Sequence, residues 1–243
     1  MLSGGAVLRS GAGMLTLAVC DDIIPAIVHE LPSAMTLPLS QNPDLSEKGK
    51  SMDALLIGCG LGTSDRTKAN LLALLSCEKP TVIDADGLNI ISENPDVIKN
   101  KNVILTPHIA EFSRLCGARV HEIKANPVKY LKDFCTKYGV CVVLKDAVTV
   151  ICDNGRLCLC HAPNSGMATA GSGDVLAGII ASFLAQGLSP FDSATAGVYI
   201  HSAAGSLARE SFGEAGMTSA DILTFVPRAL MKKTDIAPHI KEL

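Results

Sequence analysis

The sequence predicts an α/β fold with an open, central, mostly parallel sheet and a late antiparallel hairpin. Three observations predict it. Short apolar runs alternate with longer helical patterns up to Lys145. Those runs are apolar throughout, as strands covered on both faces are. An Asn154-Gly155 turn then joins two β-rich runs, a strong hairpin signal.

In order, the chain opens with a helix-like piece at about 3–10, which leads into Gly11-Ala12-Gly13. A buried parallel sheet usually opens with a strand, so this start is unusual. MLTLAV (14–19), ALLIG (54–58), TVIDA (81–85), VILT (103–106) and CVVLK (141–145) read as buried strands. Helical patterns lie between them, for example Thr63 to Cys77 and His121 to Tyr138. Alternation at this spacing implies right-handed βαβ units. VTVIC (148–152) and RLCLC (156–160) form the hairpin around Asp153-Asn154-Gly155. A glycine-rich loop follows. Val175 to Leu188 then reads as a buried core helix, and the last third is mostly helical. The polar end from about Lys232 is expected to fray. No linker or internal repeat divides the chain, so residues 1–243 are expected to form a single domain.

The 243 residues suffice for one α/β domain with a sizeable core. A hydrophobic content of 48% against 19% charged excludes a disordered chain. A net charge of -3 argues against a nucleic-acid surface. No run approaches the roughly 20 apolar residues of a membrane helix, and the start lacks the apolar core of a secretory signal. The 9 cysteines include no CxxC pair. Cys158 and Cys160 share one face of a strand without partners at metal spacing, so buried reduced thiols are expected, in a cytoplasmic setting.

Candidate chemistry concentrates where strands end. The strongest local pattern is Asn164-Ser165-Gly166-Met167-Ala168-Thr169-Ala170-Gly171-Ser172-Gly173-Asp174, followed by VLAGIIASFLA. Gly171 and Gly173 let the backbone fold tightly and expose N–H groups at a helix start, which makes an anion site. Asp174 in the first turn is either a helix cap or a base that takes a proton from an attacking hydroxyl. The loop is not a P-loop, because its lysine is absent. Thr106-Pro107-His108-Ile109-Ala110-Glu111-Phe112 lies at another strand end, the edge where open sheets bind ligands. There His108 could meet a substrate, and Glu111 reads as half of a capping box. Asp84-Ala85-Asp86-Gly87-Leu88-Asn89 fits either Mg²⁺ waters or a ribose on one side, or a capped turn on the other. Gly58-Cys59-Gly60-Leu61-Gly62 has GxGxG spacing, and its secure meaning is a close approach of backbone to ligand or helix. Lys145-Asp146-Ala147-Val148-Thr149 either meets phosphate and ribose or is a solvated turn. His29, His121, His161, His201 and His239 lack a partner pattern and read as surface or satisfied core residues.

Taken in order, RSGAGMLTLAV, ALLIGCGLG, TVIDADGLN, ILTPHIAEFSRL, VVLKDAVTVI and NSGMATAGSGDVLAGII resemble the ADP-dependent NAD(P)H-hydrate dehydratases of the ribokinase-like superfamily. The likeness runs from Arg9 to about Leu230. It implies a ribokinase-like fold of three layers, α/β/α, and repair of nicotinamide cofactor hydrated at C6 of the ring. ADP would phosphorylate that hydroxyl, phosphate would leave, and the double bond would return. The resemblance places hydrate contacts on Gly60, His108 and Asp174, with Asp174 the catalytic base. It places the nucleotide on Lys145, Asp146, Ala147, Val148 and Thr149, joined by Gly171, Ser172 and Gly173. It also implies Mg²⁺ carried by phosphates and water with no protein ligand, a homo-oligomer such as a tetramer, and an epimerase of the hydrate as fused or separate partner.

Members of the family begin with a further strand and glycine-rich loop, which gives another hydrate contact. This sequence starts inside the helix, so the first strand is expected to be missing and the domain N-terminally shortened. Pro163-Asn164-Ser165 stands where the family usually has Gly-Asn-Pro, and Cys59 where it has Pro. Two rivals use the same residues: a ribokinase-like kinase of a thiazole or pyrimidine alcohol, and a nucleotide-binding homologue without catalysis.

Overall fold

The computed structural model describes residues 1–231 and 239–242. In chain order its elements are α1 (Leu2–Arg9), β1 (Thr16–Val19), α2 (Ile24–Glu30), β2 (Met35–Pro38), α3 (Leu45–Lys50), β3 (Leu55–Ile57), α4 (Asp65–Leu75), β4 (Thr81–Ile83), α5 (Asp86–Ser92), β5 (Val103–Leu105), α6 (Ile109–Cys116), α7 (Val120–Ala125), α8 (Pro127–Tyr138), β6 (Cys141–Leu144), β7 (Val148–Asp153), β8 (Arg156–His161), α9 (Ser172–Ala185), α10 (Pro190–Gly216), α11 (Ser219–Met231) and β9 (His239–Glu242). Short 3₁₀ turns link several of them.

Among the described residues the main sheet has seven strands in the order β3-β4-β5-β6-β7-β8-β9. β3 to β6 are parallel, and β7, β8 and β9 join antiparallel. The hairpin turns at Asn154 and Gly155, both at positive φ (45° and 83°), as a two-residue turn with right-handed strands requires.

The continuously apolar strands are explained by what covers them. Ile83, Leu105, Val142 and Leu144 face one core, against Leu71 and Leu75 of α4, Leu88 and Ile91 of α5, Phe112 of α6 and Phe134 of α8. Val82, Ile104, Cys141 and Val143 face the other, against Leu176 and Ile180 of α9 and Val198 of α10. Both faces are dry, so these positions are apolar; the one polar residue on β4, Thr81, is buried with its hydroxyl donating to Lys79 O at 2.7 Å. A further apolar layer joins α1, α9, α10 and α11. Cys158 and Cys160 both enter the second core, and neither is in a disulfide. No helix among the described residues is long and apolar enough to cross a membrane.

Three expectations change. MLTLAV does not join the main sheet: β1 pairs in parallel with β2 as a separate two-stranded sheet. Its residues are partly exposed, so it lacks the double cover that the apolar run suggested. The helix expected over His121 to Tyr138 breaks at Asn126-Pro127, where proline starts α8 and the Asn126 side chain accepts from Lys129 N at 3.3 Å. Of the end expected to fray, residues 232–238 and 243 lie outside the described residues, whereas 239–242 pair with β8.

Candidate active site

The strand ends converge. β3, β4, β5 and β6 are parallel, so their carboxyl ends share one edge, and α9 begins there. β3 ends in Gly58, whose φ is +126°. A Cβ at Gly58 would lie 1.8 Å from the Asp84 carbonyl oxygen, so only glycine lets this turn reach β4. Gly60 follows at φ +67°, exposed and open around its α-carbon. The third glycine of the turn, Gly62, donates its N–H to Asp86 Oδ2 at 2.8 Å.

Asp84 ends β4 and is only 2% exposed. Its Oδ1 accepts from Lys145 Nζ at 2.8 Å, an ion pair in a largely dry setting. Lys145 is held there because its own N–H donates to Pro107 O at 2.8 Å, extending β6 past the end of β5. The same junction bridges His108 to Lys145.

His108 caps α6. Its Nδ1 accepts from Ala110 N and Glu111 N at 3.1 and 3.4 Å, while Glu111 Oε2 accepts from His108 N at 2.8 Å. This is a reciprocal capping box with histidine in place of serine. It bears out the capping reading of Glu111, which is buried. The His108 ring is about half exposed and remains open to a ligand.

α9 begins at Gly171, φ +85°. A Cβ there would meet Leu2 Cδ1 at 2.3 Å, and a Cβ at Gly173 would meet Lys145 Nζ at 3.1 Å. The glycines therefore leave room for α1 on one side and for an ammonium group on the other. The helix N-terminus and Lys145 Nζ stand side by side here, with Asp174 in the first turn of the helix. Asp174 lies beside Asp84 and Cys59: one ligand atom from each falls within 4.8 Å of the others. Burial, then the charges of Asp84 and Asp174, push the Cys59 thiol above its ordinary range, so it stays protonated and can donate to Asp174.

Asp146 and Ala147 form an exposed bend, and β7 begins with exposed Val148 and partly buried Thr149. Asp146 Oδ1 accepts from Ala147 N at 2.8 Å. The structure thus gathers Asp84, Lys145, Gly173 and Asp174 closely, and places Gly60, His108 and the 146–149 segment around them on the same edge.

Two neighbours escaped sequence reasoning. His201 of α10 is buried, and its Nε2 shares a hydrogen bond of 3.2 Å with Ser172 Oγ in the anion turn. Burial lowers its pKa to about 4, and Lys145 adds to that lowering, so the ring is neutral at pH 7. Cys59 was legible only as a departure from a family pattern, because its carboxylate neighbours come from distant segments. No spacing rule could have found either one.

Comparison with known proteins follows the same outline. Residues 1–228 match the family model described as NAD(P)H-hydrate dehydratase. The chain is 37% identical over 222 residues to the bifunctional NAD(P)H-hydrate repair enzyme Nnr of Coxiella burnetii, covering 91% of this chain and 45% of that protein. It is 36% identical over 232 residues to the ADP-dependent (S)-NAD(P)H-hydrate dehydratase of Neisseria meningitidis, covering 91% and 77%. The chain spans about half the length of the bifunctional relatives. A crystal structure of the ADP/ATP-dependent NAD(P)H-hydrate dehydratase from Bacillus subtilis, grown with ATP and Mg²⁺, superimposes with a TM-score of 0.79 at 26% identity, over 94% of this chain and 82% of that one.

Proposed function

The chain belongs to the NAD(P)H-hydrate dehydratase family, and we propose on that premise that it restores NADH and NADPH from the S-epimer of their C6 hydrates at the expense of ADP. One observation carries the reading. Asp174 stands in the first turn of an anion-binding helix start with Lys145 Nζ packed against the same turn. A base and a phosphate cradle at one point suit transfer of a phosphoryl group to a hydroxyl.

Asp174 accepts the hydroxyl proton as the C6 oxygen attacks the β-phosphorus of ADP, and AMP leaves. The α9 N–H groups and Lys145 offset charge on the transferring group. Phosphate is a far better leaving group than hydroxide. Loss of phosphate from C6 and a proton from C5 then restores the ring double bond. AMP and inorganic phosphate are the other products, and the overall reaction is that of a carbon-oxygen lyase.

Gly60 and His108 contact the hydrate in this reading, and the 145–149 segment with Gly171, Ser172 and Gly173 holds the nucleotide. Mg²⁺ accompanies the nucleotide and, when bound, offsets charge on its phosphates. The nearby donors fit that limited role: Mg²⁺ keeps water ligands that can donate to the Asp84 carboxylate, and Asp174 stays free to act as the base. The preference for ADP rests on the name of the Neisseria relative. The Coxiella relative is bifunctional by name and about twice as long, which supports an epimerase of the hydrate as fused or separate partner. A cytoplasmic homo-oligomer, such as a tetramer, completes the proposal.

The test is recovery of reduced-nicotinamide absorbance from purified hydrated NADH with Mg²⁺ and either ADP or ATP. Recovery with ADP is expected. Nucleotide binding without recovery would leave a non-catalytic homologue, and phosphorylation of a thiazole or pyrimidine alcohol in its place would give the kinase rival.

A further inference from the structure

Cys59 has no part in the reaction just described, yet it sits among that reaction's carboxylates. We propose that Cys59 Sγ, Asp84 and Asp174 form an inhibitory site for a thiophilic divalent cation of the Zn²⁺ class, separate from the Mg²⁺ that arrives with the nucleotide.

The geometry suits such an ion. The three ligand atoms come from the turn after β3, the end of β4 and the first turn of α9, and lie within 4.8 Å of one another. A tetrahedral Zn²⁺ holds sulfur at about 2.3 Å and oxygen at about 2.1 Å, so its ligand atoms stand roughly 3.5 Å apart. The ligand atoms therefore close by roughly 1 Å on binding. The ligands are pre-positioned: Asp84 is 2% exposed and pinned through Oδ1 by Lys145. Its Oδ2 lies 3.6 Å from where a Cβ on Gly173 would sit, facing the first turn of α9.

Charge and softness select the ion. Cys59 is a neutral thiol beside the two carboxylates, and binding the cation releases its proton to solvent; the thiolate so formed and the two carboxylates sum to -3, and Lys145 brings the site to -2, matching a divalent cation. Mg²⁺ is hard and takes oxygen ligands, whereas Zn²⁺ and Cd²⁺ take thiolate readily. Three protein ligands leave a fourth position for water or a nucleotide phosphate oxygen. A cation bound here occupies the carboxylate of Asp174, so the base is lost and turnover stops. The inhibition rests on the function proposed above; the binding does not.

The experiment titrates the metal-free protein with Cd²⁺ alone and follows the ultraviolet thiolate-to-cadmium band. We expect a band saturating near one equivalent in the parent, and its loss in Cys59→Ser. Eight other cysteines are present, so the parent-minus-variant difference is the readout. Equal bands in both proteins would overturn the site. A second measurement needs no variant: one equivalent of Cd²⁺ should shield Cys59 of the parent from alkylation, read by peptide mass spectrometry. Unchanged labelling of Cys59 would also overturn it. In the hydrated-NADH assay, Zn²⁺ should inhibit the parent reversibly with a chelator, and the concentration for half inhibition should rise by about 100-fold or more in Cys59→Ser. An unshifted inhibition would refute the inhibitory role. A parent with the Cd²⁺ band but no turnover would sink the dehydratase reading and leave the metal site standing.

Discussion

Asp174 has two duties in the proposed reaction, and one substitution separates them. As a first-turn acid it favours the dipole of α9; as the proposed base it takes a proton. Asn keeps the shape and loses the basicity. Asp174→Asn should therefore retain fold and nucleotide binding while turnover of the hydrate falls by about 10² or more, measured by initial rates beside calorimetric ADP binding. Near-parental rates would remove Asp174 from the chemistry. His201 supports the same turn from below. Its neutral ring shares a hydrogen bond with Ser172, and burial holds its pKa at about 4 against 6.5 in an open chain. The unfolded chain takes up this proton near pH 6.5 and the folded chain only near pH 4. Stability is thus unaffected above pH 6.5 and falls as pH drops through that window, by up to roughly 3 kcal/mol. Urea unfolding at several pH values should show the slope, and His201→Gln should flatten it.

At the scale of elements, the approach of α1 to α9 decides how the anion turn is supported. A Cβ at Gly178 would lie 2.3 Å from the Ser3 carbonyl oxygen and 2.7 Å from Ala6 Cβ. The first neighbour is backbone, so α1 itself must shift. Gly178→Ala should destabilise by about 1–3 kcal/mol from this overpacking, although alanine is the better helix former by about 1 kcal/mol. A variant as stable as its parent in denaturant titration would rule out contact at this distance. Elements with strong local punctuation were legible in the sequence: the Asn154-Gly155 hairpin, the glycine start of α9 and the His108–Glu111 cap. The break at Asn126-Pro127 had a local signal too, and the apolar period on either side outweighed it. β2, α2 and α3 were not anticipated; they are short and largely polar or half-exposed, and periodicity has little hold on such pieces.

The whole molecule is uneven. β4, β5 and β6 are buried throughout between two helical layers, whereas β1 and β2 form a small separate sheet of partly exposed residues. Local opening follows burial and hydrogen bonding. Amide exchange should therefore be slowest in β4 to β6 and faster by orders of magnitude in β1, β2 and α2. Uniform protection across both sheets, read by mass spectrometry, would contradict the division. Local patterns in the sequence were enough for the parallel strands, the hairpin and the list of chemically useful strand ends, because periodicity and turn chemistry are local properties of a chain. Only the tertiary structure decided which of those ends meet. Lys145 pairs with Asp84 from 61 residues away, Ser172 finds His201, and Cys59 falls between two carboxylates. β1 left the main sheet for the same reason: strand pairing and side-chain contact across the fold depend on which segments the packed layers bring side by side, and no local pattern records that.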